Sequence, residues 1–118
     1  MSPDSYREKR IATRLPADVR CWVGDGGVER YARVADVSEF GVRIETAAPP
    51  PVGASLSVRF KLPPLGQTVE ATAEVRWRSM GHRGRAGAMG LSFTSVLGRE
   101  AIEAYSRELD GGESQPEE

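Results

Sequence analysis

Two arginines, Arg10 and Arg14, stand three residues apart near the start of this 118-residue chain, and Asp36-Val37-Ser38-Glu39-Phe40-Gly41 follows twenty-two residues after the second. The chemistry these residues could do is recognition rather than bond making. A planar guanidinium presents two donors that match the adjacent O6 and N7 acceptors of guanine, and the same fork fits phosphate. It also stacks flat on a base, because its charge is delocalised and weakly hydrated. A ligand carrying two guanines and two phosphates could therefore use both arginines. A carboxylate such as Asp36 would accept from the guanine N1 and N2 donors. Ser38 adds a short hydroxyl that donates or accepts, and Gly41 lets the chain turn tightly and leaves room against the backbone. Arg7 and Lys9 add positive charge beside Glu8, which concentrates an anionic ligand near the pair.

Other residue types that carry chemistry are sparse. His82 is the one histidine, with no neighbour at metal-ligand spacing, so no metal site is expected. The stretch Gly81-His82-Arg83-Gly84-Arg85-Ala86-Gly87 has the glycines of a phosphate-cradling loop but not its Gly-Lys-Ser/Thr ending. It also joins two strand patterns instead of opening a helix, so it reads as a hairpin turn. No Gly-x-Ser-x-Gly elbow accompanies the serines, and the carboxylates alternate along exposed strand positions. The chain is not expected to be an enzyme. Asp36 and Ser38 have a plainer role open to them, since both side chains commonly bond the backbone two residues on.

The elements that must position these residues are short and alternating. Residues 1–16 are polar, charged and without a period, so they read as a flexible arm ending in Leu15-Pro16. From residue 17 apolar residues recur every second position: Val19, Cys21 and Val23, then a Gly24-Asp25-Gly26-Gly27 turn into a strand over 28–36. Val42 and Ile44 alternate with Arg43 and Glu45, and Leu56, Val58 and Phe60 with polar neighbours. The longest strand carries Val69, Ala71, Ala73, Val75 and Trp77 on one face. Trp77 reads first as a core residue and second as an aromatic wall of a binding site. Met89, Leu91 and Phe93 form a sixth strand. Between Val96 and Leu109 the apolar residues Leu97, Ala101, Ile102, Tyr105 and Leu109 take helical spacing, giving an amphipathic helix stopped by Asp110-Gly111-Gly112. The domain then spans 17–109, and an acidic tail over 110–118 is expected to be disordered.

The ordered pair of motifs, Arg10-x-x-x-Arg14 and Asp36-x-Ser38-x-x-Gly41, resembles the PilZ domain family, and the resemblance runs from about Arg7 to Phe93. It implies an all-β fold, a six-stranded antiparallel PilZ-type barrel with a C-terminal helix and a flexible N-terminal arm. It implies a receptor for cyclic di-GMP, with Arg10, Arg14, Asp36, Ser38 and Gly41 at the ligand and Arg7, Lys9 and Trp77 as further contacts. Family members usually carry arginine where this chain has Lys9, a position associated with binding one ligand or a stacked pair. The alternative is a PilZ-like adaptor that works through a protein partner without the nucleotide.

Composition bounds the rest. Formal net charge is -1, but residues 108–118 hold five acids and no base, which leaves 16 bases against 12 acids in the body. Lys9 and Lys61 are the only lysines beside 14 arginines, so a single arginine carries little weight here. A lone cysteine, Cys21, allows no internal disulfide, and no stretch has the roughly 20 apolar residues of a membrane span. The expectation is a cytoplasmic monomer or weak dimer with no cofactor and a downstream protein partner, without DNA, RNA or membrane insertion.

Overall fold

Alternation with a period of two places successive side chains on opposite faces of a strand, so each apolar series in this chain supplies one wall of a core. The computed structural model describes residues 14–114, with side chains over 14–109. Arg7, Lys9 and Arg10, and with them nearly all of the expected arm, lie outside the described residues, as do the last four residues of the expected tail. Six antiparallel strands, β1 (Leu15–Asp25), β2 (Val28–Val37), β3 (Gly41–Thr46), β4 (Ser55–Leu62), β5 (Gln67–Ser79) and β6 (Gly87–Leu97), close into a barrel in the order β1-β2-β3-β6-β5-β4. Closure leaves no strand at a sheet edge, since each pairs with a neighbour on both sides.

Most of the inward residues are those read from the alternation, joined by Leu15, Val34, Val37 and Leu62, which it did not single out. Cys21, Val23, Val42, Ile44, Leu56, Val58, Phe60, Val69, Ala73, Val75, Met89 and Leu91 are all buried in one cluster. A helix, α1 (Arg99–Ser114), adds Ala101, Ile102 and Tyr105 to it and packs against β4 and β5. It plugs the end of the barrel where β1 and β5 begin.

Several boundaries differ from the sequence reading. The first strand starts at Leu15, inside the stretch assigned to the arm, because Leu15 is buried in the core and Pro16 pairs with Asp36. The Tyr105 hydroxyl also donates to the Pro16 carbonyl, tying the root of the arm to α1. At the other end, Val96 and Leu97 pair with Ala71 and Glu70 in β6, so the helix begins only after Gly98. It then runs past Asp110-Gly111-Gly112 to Ser114. Glycine weakens a helix without clashing with it, whereas Pro116 is the first residue whose ring sterically opposes helix in its neighbour.

Three irregularities matter for what faces outward. β2 carries one extra residue against β3 at Ala35, β5 one extra against β6 at Arg76, and β1 one extra against β2 between Pro16 and Val19, where Asp18 takes a positive φ of 54°. Such bulges shift the alternation by one residue and turn the next side chain to the opposite face.

Candidate functional site

The bulge at Ala35 decides where Asp36 points. Ala32 and Val34 face inward, and strict alternation would send Asp36 after them; the extra residue turns Asp36 outward and leaves Val37 buried. Arg14 meets it there. Its Nη1 lies 2.6 Å from Asp36 Oδ1, and Arg43 on β3 approaches Oδ2 at 3.6 Å. The carboxylate is largely covered while Arg14 remains more than half exposed, so a solvent-facing arginine sits over a fixed acceptor. The two motif halves, distant in sequence, are thus in direct contact through Arg14 and Asp36.

Ser38 and Gly41 build the turn beneath this pair. Ser38 is buried, and its Oγ accepts from the Phe40 N–H at 3.1 Å, while its own N–H donates to the Gly41 carbonyl at 2.9 Å. These bonds close the link from β2 to β3. At Gly41 a Cβ would collide with the Leu91 carbonyl oxygen of β6, so glycine is required for the close approach of two backbones. Both residues therefore sit below the surface that Arg14 and Asp36 present.

From Asp36 a single row crosses the outside of the barrel. Asp36 pairs with Arg43, Arg43 with Gly90, and Gly90 with Trp77. At the ordinary strand spacing this row spans about 14 Å. Trp77 is not a core residue, contrary to the first reading of its strand: the bulge at Arg76 breaks the alternation after Val75 and places the indole outside, 41% exposed. It lies flat across Gly90, where a Cβ would occupy the position of the ring. Beyond Arg43 and Trp77 the surface opens into a cleft of about 1020 Å³. That is the upper end of ordinary small-molecule sites, which run roughly 300–1,000 Å³.

Arg43 and Gly90 were not singled out from the sequence. The signals were present: Arg43 is the outward residue two positions after Gly41, and Gly90 interrupts an alternating strand at an outward position, which marks close approach by another group. Neither acquires meaning until strand order makes Arg43 a neighbour of Asp36 and Gly90 the bed of Trp77. The residues on the opposite flank form a separate cluster. Trp22 is half-buried and stacks on exposed Tyr31 with ring centroids 3.8 Å apart; Arg59 lies over the first ring and Arg20 over the second, each at 5.7 Å.

No group of three or more potential metal ligands occurs among the described residues. No helix among them is long and apolar enough to cross a membrane.

The family model for the PilZ domain matches residues 7–108 of the chain. No match to a curated protein sequence was found. Among solved structures, the Bacillus subtilis inhibitor of motility, MotI/DgrA, superposes with a TM-score of 0.72 at 17% identity, over 85% of this chain and 51% of that one. The Borreliella burgdorferi PlzA protein in complex with c-di-GMP superposes with a TM-score of 0.64 at 11% identity, over 97% of this chain and 57% of that one. The chain thus spans little more than half the length of either protein, and at these identities the likeness is one of fold.

Proposed function

Because the chain belongs to the PilZ domain family, we propose that it is a receptor for cyclic di-GMP, bound on the outer face of the barrel along the row from Arg14 to Trp77. The observation that carries this reading is the Arg14–Asp36 contact, which brings the two halves of a guanine-recognising motif to 2.6 Å. PlzA, of the same fold, was solved with this ligand, which supports the choice of nucleotide.

The residues divide the work by chemistry. Arg14 is exposed and its partner is fixed, so the guanidinium can leave or share the carboxylate when a guanine arrives. Asp36 then accepts from the guanine N1 and N2 donors while Arg14 engages the O6 and N7 edge or a phosphate. Arg10, with Lys9 and Arg7, supplies further cationic contacts from the segment preceding Arg14. Arg43 keeps the anion-binding field positive beside Asp36, and Trp77 offers a stacking surface to a base. Ser38 and Gly41 act by shaping the turn that holds Asp36. The conformational output is closure of residues 1–13 onto this face, read by a downstream protein as a changed surface. No step of this role makes or breaks a bond, so the chain acts as a binder, in the cytoplasm, as a monomer or weak dimer.

Calorimetry with cyclic di-GMP tests it. Removing a charge-assisted contact weakens binding by about 1.5–3 kcal/mol, or roughly 10- to 150-fold. Arg14→Ala and Asp36→Ala are each expected to lose that much, and an absence of heat with the wild-type protein would refute the reading. A second reading, an adaptor that uses a protein partner without the nucleotide, draws on one observation. The Arg59–Trp22–Tyr31–Arg20 ladder has the residue types that dominate protein interfaces. Wild-type protein that is folded yet silent in the same titration would favour it.

A further inference from the structure

The connection between β5 and β6 is a built element. The His82 N–H donates to the Arg85 carbonyl at 3.1 Å and the Arg85 N–H to the His82 carbonyl at 3.0 Å, closing a two-residue hairpin turn. Both central residues take positive φ, 52° at Arg83 and 83° at Gly84, the signature of a type I′ turn. Asparagine or glycine suits the first of these positions; arginine does not. The base is equally constrained. A Cβ on Gly81 would lie 2.7 Å from the Arg85 carbonyl oxygen, and one on Gly87 would lie 2.8 Å from that of Ser79. Arg78 also donates to the Pro49 carbonyl at 3.0 Å, pinning the neighbouring loop to the end of β5.

This finger forms the far wall of the cleft that Arg43 and Trp77 open. His82, Arg83 and Arg85 line it, with Glu45 on the floor. Glu45 is paired with Arg33 at 3.3 Å, whereas Arg83 and Arg85 have no carboxylate partner among the described residues. Two guanidinium groups without a carboxylate partner among the described residues therefore face a cleft whose one carboxylate, Glu45, is paired with Arg33, which Asp18 also engages, on a turn that holds an arginine in an unfavourable backbone conformation. A strained residue kept at a cleft is a pointer to function. The cleft begins at Trp77, where the row from Asp36 ends, so a ligand held at Asp36 and long enough to cross the row reaches the finger.

We propose that residues 80–86 form a second ligand-binding element, in which Arg83 and Arg85 bind the phosphate of the distal nucleotide of the same cyclic dinucleotide that Arg14 and Asp36 hold at its near end. This rests on the cyclic di-GMP reading above and extends it to a part of the fold outside both motifs. Trp77 lies between the two ends and stacks on the distal base. The finger's backbone is preformed, so binding orders only the arginine side chains and not the loop, and the contact is made without the arm.

The test is calorimetry of the full chain with cyclic di-GMP, comparing wild type, Asp36→Ala and the double substitution Arg83→Asn/Arg85→Gln, with a thermal melt of each. Asparagine suits the positive φ at 83, so the double variant keeps or strengthens the turn while losing both charges. The expected result is at least tenfold weaker binding with a melting temperature unchanged or raised. Arg85→Glu, which leaves the two central turn residues intact, is expected to weaken binding comparably. If the wild type binds and Asp36→Ala does not, yet the double variant binds within twofold of wild type, the finger takes no part and the proposal is wrong while the receptor reading stands. If the wild type gives no heat at all, both fall together.

Discussion

Gly90→Ala separates positioning of the site from stability of the fold. A methyl group at residue 90 would occupy the space of the Trp77 indole, and the three heavy atoms nearest that methyl all belong to this one side chain. The indole is 41% exposed and borders an open cleft, so it has somewhere to go. A fully enclosed tryptophan covers about 150–250 Å², so roughly 90–150 Å² is covered here, worth at most about 2–4 kcal/mol at ~25 cal/mol per Å². Part of that contact re-forms after the ring swings, and alanine is favoured over glycine in a strand by about 0.5–1 kcal/mol. The net loss is about 1–2 kcal/mol, a fall of roughly 4–10 °C in melting temperature. Loss of a stacking surface, at about 1–3 kcal/mol per base, weakens cyclic di-GMP binding roughly 5- to 150-fold. In a Trp22→Phe background Trp77 is the sole tryptophan, and its emission should move toward that of a fully hydrated indole in Gly90→Ala. Unchanged emission together with unchanged affinity would refute the claim that Gly90 sets the ring. Gly41→Ala is the contrast, because its methyl would meet the backbone carbonyl of Leu91. There β3 and β6 must separate, at about 3 kcal/mol or more, and a fold that melts as wild type would show the close approach to be wrong.

Tyr105→Phe removes the hydroxyl that donates to the Pro16 carbonyl and is expected to destabilise by about 0.5–1.5 kcal/mol. Hydrogen exchange at the start of β1 should accelerate more than in β4. Burial pushes the Cys21 thiol up to about 12, against the opposing effect of a backbone hydrogen bond at Ala32. The unfolded chain loses that proton near pH 9 while the folded chain keeps it to about 12, so stability is full below pH 9 and falls across that window. Denaturant melts at pH 8 and pH 10.5 on wild type and Cys21→Ala check the sign; equal pH dependence in the two would contradict it. For the outer ladder, a double-mutant cycle of Trp22→Ala and Tyr31→Ala should return a coupling of about 0.5–1.5 kcal/mol, and additivity would mean the rings do not support one another.

Strand content, the antiparallel hairpins and most of the strand core follow from period-two alternation and turn chemistry, because those are local properties that side chains such as Val42, Ile44 and Val58 carry wherever they sit; Leu15, Val34, Val37 and Leu62 joined the core without being read from it. The two motif segments were legible as residue patterns, and the Arg14–Asp36 contact between them is what the structure adds. The directions of Asp36 and Trp77 were not legible. Each follows a bulge, and a one-residue bulge is set by the register a strand takes against its partner, which the alternation within one strand does not reveal. Helix limits failed for a related reason: Val96 and Leu97 suit a helix by spacing, but their hydrogen bonds go to β5. Arg43, Gly90 and the hairpin finger gained roles only when barrel closure set β3, β6 and β5 side by side. The chain alone thus specifies which residue types form the two motif segments and the wall each strand gives the core. Which of them share one outward surface depends on register, and register is a property of the closed barrel.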